Sequence, residues 1–211
     1  MDSIIFYILE GANTTLRIFF VTLIFAIPLS ILFAIGKIAG GKIIKGILDI
    51  YTWLLRGTPL MLQIFFVFYG IPQLTGIKLD RNLAADLAFI INYTAYFTEI
   101  FRAGILSIER GQFEASKALG LSYPQTMWRI IMPQAFKRVL PPVGNEFITL
   151  IKDTSLVMVI AIPDIMRNTK EIVSREASPE TFIIAAIIYL ILTYGIVFIF
   201  SKSEKKLSYY D

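Results

Sequence analysis

An all-α integral membrane fold follows from three observations on the sequence. Of the 211 residues, 56% are apolar and 17% charged, and the mean hydropathy is +0.68. That is more apolar surface than soluble domains carry. Between Arg17 and Lys37, between Arg56 and Lys78, and between Glu180 and Lys202 there is no charge at all, each time over about the thickness of a hydrocarbon core. Two further apolar segments are interrupted by ionisable residues: Leu83 to Ile108 holds Asp86, Glu99 and Arg102, and Val139 to Pro163 holds Glu146, Lys152 and Asp153. Counted together they predict five transmembrane helices at 13–36, 47–76, 83–108, 133–163 and 180–201, in a single transmembrane domain over 1–211 with a structured loop at 109–132.

The first span carries Pro28 in its interior and ends at Ala39-Gly40-Gly41; a membrane helix tolerates such a proline when neighbours re-satisfy the freed carbonyl. The second span has Arg56-Gly57-Thr58-Pro59 as an irregular point. The third and fourth carry charges that cost roughly 2.5 to 3.5 kcal/mol each if left facing lipid, so they are expected to face protein or water. Between the fourth and fifth, Ile165, Met166, Ile172 and Val173 stand against a charged remainder, which predicts a short amphipathic helix on the outer membrane surface.

Orientation follows from the basic residues, which gather in cytoplasmic loops. Lys37, Lys42 and Lys45 follow the first span; Arg110, Lys117, Arg129, Lys137 and Arg138 follow the third; Lys202, Lys205 and Lys206 follow the fifth. The N-terminus is therefore placed outside and the C-terminus inside. The net charge of +4 is read as a topology signal, not as the footprint of a nucleic-acid partner. The sequence contains no cysteine and no histidine, which excludes disulfides and thiolate sites and removes the commonest metal ligand and neutral-pH base. The first span has no basic start or small-residue cleavage site before it, so it is expected to be retained as a membrane anchor.

The loop at 109–132 carries Glu114-Ala115-Ser116-Lys117-Ala118-Leu119-Gly120, then Leu121, Tyr123 and Pro124, then Ile130-Ile131-Met132-Pro133. This pattern predicts a short helix stopped by glycine and a second one leading to a proline. Leu119, Leu121 and Tyr123 form an apolar knob suited to docking on another protein. The stretch resembles the EAA loop of bacterial ABC importer permeases, with Ser116 where the pattern has alanine. Arg56-Gly57-Thr58-Pro59 with Gln63, Pro141-Pro142-Val143-Gly144-Asn145-Glu146-Phe147, and Lys152-Asp153-Thr154-Ser155-Leu156 are similar to the polar amino-acid branch of that family.

The resemblance implies a multi-pass permease of the cell (inner or plasma) membrane that carries an amino acid. It implies two ABC ATPase subunits docked through the coupling loop at Glu114, Ala115, Leu119, Gly120, Leu121 and Tyr123, a second permease copy or close homologue, and an extracytoplasmic solute-binding protein. Glu114 either meets the partner or caps its own helix. No Gly-x-x-x-x-Gly-Lys-Ser/Thr stretch occurs, so the chain is expected to be no enzyme and to hold no cofactor, with ATP and Mg2+ bound by the partner.

An amino acid presents a carboxylate and an ammonium, so its passage needs a fixed cation and a fixed anion at matched depth. Asn145 and Lys152, and Glu146 and Asp153, are seven apart and project from similar helix faces; Lys152 with Glu146 or Asp153 meets the requirement, or else Lys152 and Asp153 only hold a helix break together. Thr154 and Ser155 are placed to cap a second helix. Gln63 and Asn92 are either interhelical hydrogen bonds or part of the lining. The candidate binding residues are thus Thr58, Gln63, Asn92, Asn145, Glu146, Lys152, Asp153 and Ser155. Glu99 and Arg102, three apart, read as an intrahelical pair. Two rival readings remain: a self-contained ion-coupled transporter or channel, and a membrane enzyme using Asp86, Asp153 or Asp164.

Overall fold

The computed structural model describes residues 2–207. Among the described residues ten α-helices appear in chain order: α1 Asp2–Ala39, α2 Lys42–Gly57, α3 Leu60–Phe65, α4 Ile71–Thr75, α5 Arg81–Leu106, α6 Arg110–Ala118, α7 Tyr123–Thr126, α8 Met132–Asp153, α9 Ile165–Glu176 and α10 Thr181–Leu207. Single π turns, Phe66–Gly70 and Met127–Ile131, join α3 to α4 and α7 to α8, and a 3-10 helix, Thr154–Ile160, continues α8.

Each π turn stands directly before a proline at the second position of the next helix, Pro72 and Pro133. Proline lacks the N–H that an α-turn requires. The wider turn lets the residue before it donate five back instead, Ile71 N–H to Phe66 O and Met132 N–H to Met127 O. The chain therefore runs helical from Tyr123 to Asp153, and Pro133 does not end an element as the sequence suggested.

α1 and α10 are long and apolar enough to cross a membrane, and α2 with α3–α4 makes a third if the pair, bent by 106° at Gly57–Pro59, is one span. The break falls where the sequence placed it. α5 and α8, of 26 and 22 residues, reach about 39 and 33 Å at 1.5 Å per residue, but interior charges keep them below that apolar standard. The core lies where α1 packs along α5, with Ile18, Phe19, Leu23 and Ala26 against Ala84, Ala85, Ala88 and Phe89. The small residues of α5 let the two backbones approach.

Two expectations are corrected at the ends of α1. The helix starts at Asp2, eleven residues before the predicted span, because its first turns are covered by α9. A side chain on Gly11 would collide with the backbone of Asp164 and Ile165, and Asn168 Nδ2 donates to Tyr7 O at 2.8 Å. α9 thus exists as predicted, N-capped by Asp164 at 3.0 Å to the Met166 and Arg167 amides. Its inner face, Ile165, Asn168, Thr169 and Ile172, is buried against protein, not laid on a membrane surface. At the other end Lys37 is no loop residue. It lies in the last turn of α1, 7% exposed, and only Gly40 and Gly41 separate α1 from α2.

Candidate functional site

α2 climbs alongside α5 in the opposite sense. Lys37 of α1 donates to Thr52 Oγ1 at 2.8 Å, reaches Asp49 at 2.8 Å, and pairs with Glu99 of α5. Glu99 also receives Arg102 at 2.8 Å, so the intrahelical pair read from the sequence is part of a larger knot. Further along, Tyr51 Oη donates to Ile91 O at 2.6 Å and Asn92 Nδ2 donates to Leu55 O at 3.2 Å. This fixes the height of the break at Gly57–Pro59, beside residues 91–96 of α5.

The break leaves carbonyls without helical donors, and the candidate residues Thr58, Gln63 and Asn92 meet there. Gln63 Nε2 donates to Leu55 O at 2.8 Å, to Thr58 O at 3.1 Å and to Thr58 Oγ1 at 2.8 Å. Its Oε1 accepts from Asn92 Nδ2 at 2.9 Å. Of the two roles left open, the interhelical bond is the one this geometry realises, and Asn92 is buried.

A cavity of ≈ 710 Å³ opens between the C-terminal end of α2, α5 and α8; Arg56, Tyr96, Glu99, Arg138, Asn145 and Glu146 are among its lining residues. Arg56 stacks its guanidinium over the Tyr96 ring, 5.4 Å from the centroid. Arg138 donates to the Ser107 carbonyl and lies 3.2 Å from Ser107 Oγ, joining the start of α8 to the end of α5. A second cavity of ≈ 510 Å³, lined by Lys37, Lys45, Asp49, Thr52 and Arg102, shares Arg56 and Glu99 with the first.

Asn145 and Glu146 line the larger cavity, but Lys152 and Ser155 do not. They border a separate recess of ≈ 520 Å³ with Met166, Ala185 and Tyr189, against α10. Asp153 turns to α5, where Tyr93 Oη donates to its Oδ2 at 2.8 Å. The Glu146/Asp153 stripe therefore keeps to α5, while the Asn145/Lys152 stripe is divided between two openings. Thr154 and Ser155 do not cap a following helix: their hydroxyls donate back to Ile151 O and Lys152 O, each at 2.7 Å, and so tighten the turn to 3-10. The three aspartates of the enzyme reading sit apart, Asp86 paired with Arg17 at 2.7 Å, Asp164 capping α9, and Asp153 on Tyr93.

At the opposite end of α8, the loop at 109–132 builds a Schellman stop. Gly120, at φ +72°, sends its N–H to Lys117 O at 3.0 Å, and Leu121 N–H reaches Ser116 O at 3.1 Å; glycine takes that conformation without penalty. Ser116 is buried and donates to Gln112 O at 2.7 Å. Glu114 is exposed at the fifth position of α6, whose N-cap is Glu109, so it does not cap its own helix. Ala115 is exposed beside it. Leu119, 79% exposed, Tyr123 and Trp128 are the large apolar side chains that the loop leaves exposed. Leu121 is half-buried, as the residue following the glycine of a Schellman stop folds back on its helix. Trp128 went unnoticed in the sequence although a large aromatic next to Arg129 in a loop between spans was the available signal.

Residues 17–209 match the family described as binding-protein-dependent transport system inner membrane component. The chain belongs to this family. The permease family includes the arginine transport system permease protein ArtQ of Bacillus subtilis (strain 168), 41% identical to this chain over 97% of its length and 94% of the relative's. The L-cystine transport system permease protein TcyB of the same organism is 35% identical over 95% and 86% of the two chains. Among solved structures, the crystal structure of an amino acid ABC transporter with histidines superposes with a TM-score of 0.88 at 33% identity, covering 95% of this chain and 94% of that one. The fold is also that of the MetNI methionine ABC transporter in an inward-facing form, at a TM-score of 0.77 and 16% identity.

Proposed function

We propose that this permease carries a polar or charged amino acid across the inner membrane, driven by ATP hydrolysis on two ATPase subunits. One observation supports the reading most: likeness over nearly the whole chain to permeases named for arginine and cystine. Two copies, or one copy with a close homologue, enclose the passage. An extracytoplasmic solute-binding protein delivers the amino acid. The chain spans five times, by α1, the bent α2–α4 segment, α5, α8 and α10, with its N-terminus outside.

In this arrangement Glu114, Ala115, Leu119, Gly120, Leu121 and Tyr123 dock the ATPase, which holds ATP and Mg2+, and the chain itself needs no cofactor. The exposure of Leu119 and Tyr123 supports that docking. Thr58, Gln63, Asn92, Asn145, Glu146, Lys152, Asp153 and Ser155 shape the passage, some by contact with the amino acid and some, as at the helix break, by holding its wall. The test is purification from the native membrane in mild detergent. A stoichiometric ATPase in the eluate, together with ATP-dependent amino-acid uptake in vesicles, is the expected result. Solute flux with no nucleotide-binding partner would replace this reading by a self-contained transporter.

A further inference from the structure

Most of the charged side chains around the two cavities, which share Arg56 and Glu99, are held by protein partners. Lys37 spends its donors on Thr52, Asp49 and Glu99. Arg102 is bound to Glu99. Arg138 is bound to Ser107. In the larger cavity two charged side chains remain that make no hydrogen bond or ion pair among the described residues: Arg56 at the end of α2 and Glu146 in the middle of α8. One is a cation and the other an anion, and they belong to different helices. A structural ion pair would have closed on itself, as the Lys37 knot does.

We propose that Arg56 and Glu146 form the pair that receives the two main-chain charges of the transported amino acid, Arg56 taking the α-carboxylate and Glu146 the α-ammonium. The inference rests on the amino-acid reading above and changes its cation. Lys152, the residue favoured by the spacing along α8, opens into another recess, whereas Arg56 and Glu146 border one space of ≈ 710 Å³, ample for a single amino acid. A guanidinium is suited to the task because its planar fork binds a carboxylate through two parallel N–H groups. Stacking on Tyr96 orients that fork and leaves its edge available. Arg56 also stands immediately before the break at Gly57–Pro59, so any movement of α2 against α3 carries the cation with it.

The test uses cells deleted for the gene and complemented with wild type, Arg56→Gln, Arg56→Lys or Glu146→Gln, measuring uptake of radiolabelled L-arginine, L-glutamine and L-cystine. Recovery of the ATPase with the permease is followed in parallel as a check on assembly. Arg56→Gln and Glu146→Gln are each expected to lower uptake at least tenfold, and Arg56→Lys at least threefold, because it keeps the charge but loses the planar fork. Uptake above half the wild-type rate in either glutamine variant overturns the pairing. If Arg56→Gln fails to assemble, Glu146→Gln and Arg56→Lys decide. Failure of wild type to import any of the three probes above the deletion strain would remove the amino-acid reading itself, a result distinct from unchanged uptake in the variants, which removes only the pairing.

Discussion

Asn92 Nδ2 lies 2.9 Å from Gln63 Oε1, and this one bond joins the short helix after the break to the long helix α5. Through Gln63 it also secures the carbonyls of Leu55 and Thr58. Replacing Gln63 by Leu keeps the volume but strands the part-buried Thr58 carbonyl and leaves Leu55 O to Asn92 Nδ2 alone, at a cost of about 1 to 3 kcal/mol. The expected outcome is a lower melting temperature of the detergent-purified permease. Gln63→Leu melting at the wild-type temperature would show that water or lipid headgroups satisfy the break equally well.

Lys37 holds three helices through one ammonium. Lys37→Met leaves Asp49 and Glu99 facing each other with only Arg102 to compensate; removal of one member of a fully buried ionic cluster costs about 3 to 5 kcal/mol, and the loss here is smaller because the Asp49 side chain is 49% exposed. The double variant Lys37→Met with Glu99→Gln is expected to regain part of the loss. Thermal unfolding of the purified chain measures both, and a double variant no more stable than the single would place the cost in lost packing of the lysine stem.

At the Schellman stop, Gly120→Ala forces a β-carbon into the left-handed region at about 1 to 2 kcal/mol while leaving the knob's chemistry intact. Leu119→Asp does the reverse. The docking assignment predicts that Leu119→Asp lowers co-purification of the ATPase at least fivefold and that Gly120→Ala lowers it less. Full recovery with Leu119→Asp would reduce the loop to a connector.

Outside the spans, the hydrogen bond from Tyr7 and the neighbouring Arg167 hold the Glu171 carboxyl below the usual glutamate range. A carboxyl depressed in the folded state contributes stability above its unfolded pKa and loses it as pH falls through the folded one. Tyr7→Phe is thus expected to melt slightly lower than wild type at neutral pH, with the two curves converging on acidification below the ordinary glutamate range. The effect is small because the group is exposed. A gap that stays constant with pH would assign it to packing of the phenol.

Much of this architecture was legible in the sequence because its signals are local. Charge-free runs marked α1, the bent segment and α10; Arg56-Gly57-Thr58-Pro59 marked the break; Gly120 marked the stop of α6. What escaped depends on partners far away along the chain. The predicted span leaves out the residues before 13, because only α9, packed on Tyr7 and Gly11, shows why the helix begins so early. Lys37 read as a loop charge because its three acceptors come from α2 and α5. Lys152 and Glu146 read as partners because they stand on adjacent stripes, Asn145/Lys152 and Glu146/Asp153, and spacing specifies a helix face but not which neighbour covers it; α10 covers one and α5 the other.

The π turns at Phe66–Gly70 and Met127–Ile131 bear on how this chain can be edited. Each is an α-helix with one residue inserted, so the apolar stripe before it and the one after it are out of phase by about 100°, the rotation of one residue. Deleting a residue inside either turn would swing the rest of its helix around by that angle, carrying Arg138 and Glu146 away from the cavity in one case. Single-residue indels there would act like rotating a shaft, whereas most substitutions at the same positions would leave its phase untouched.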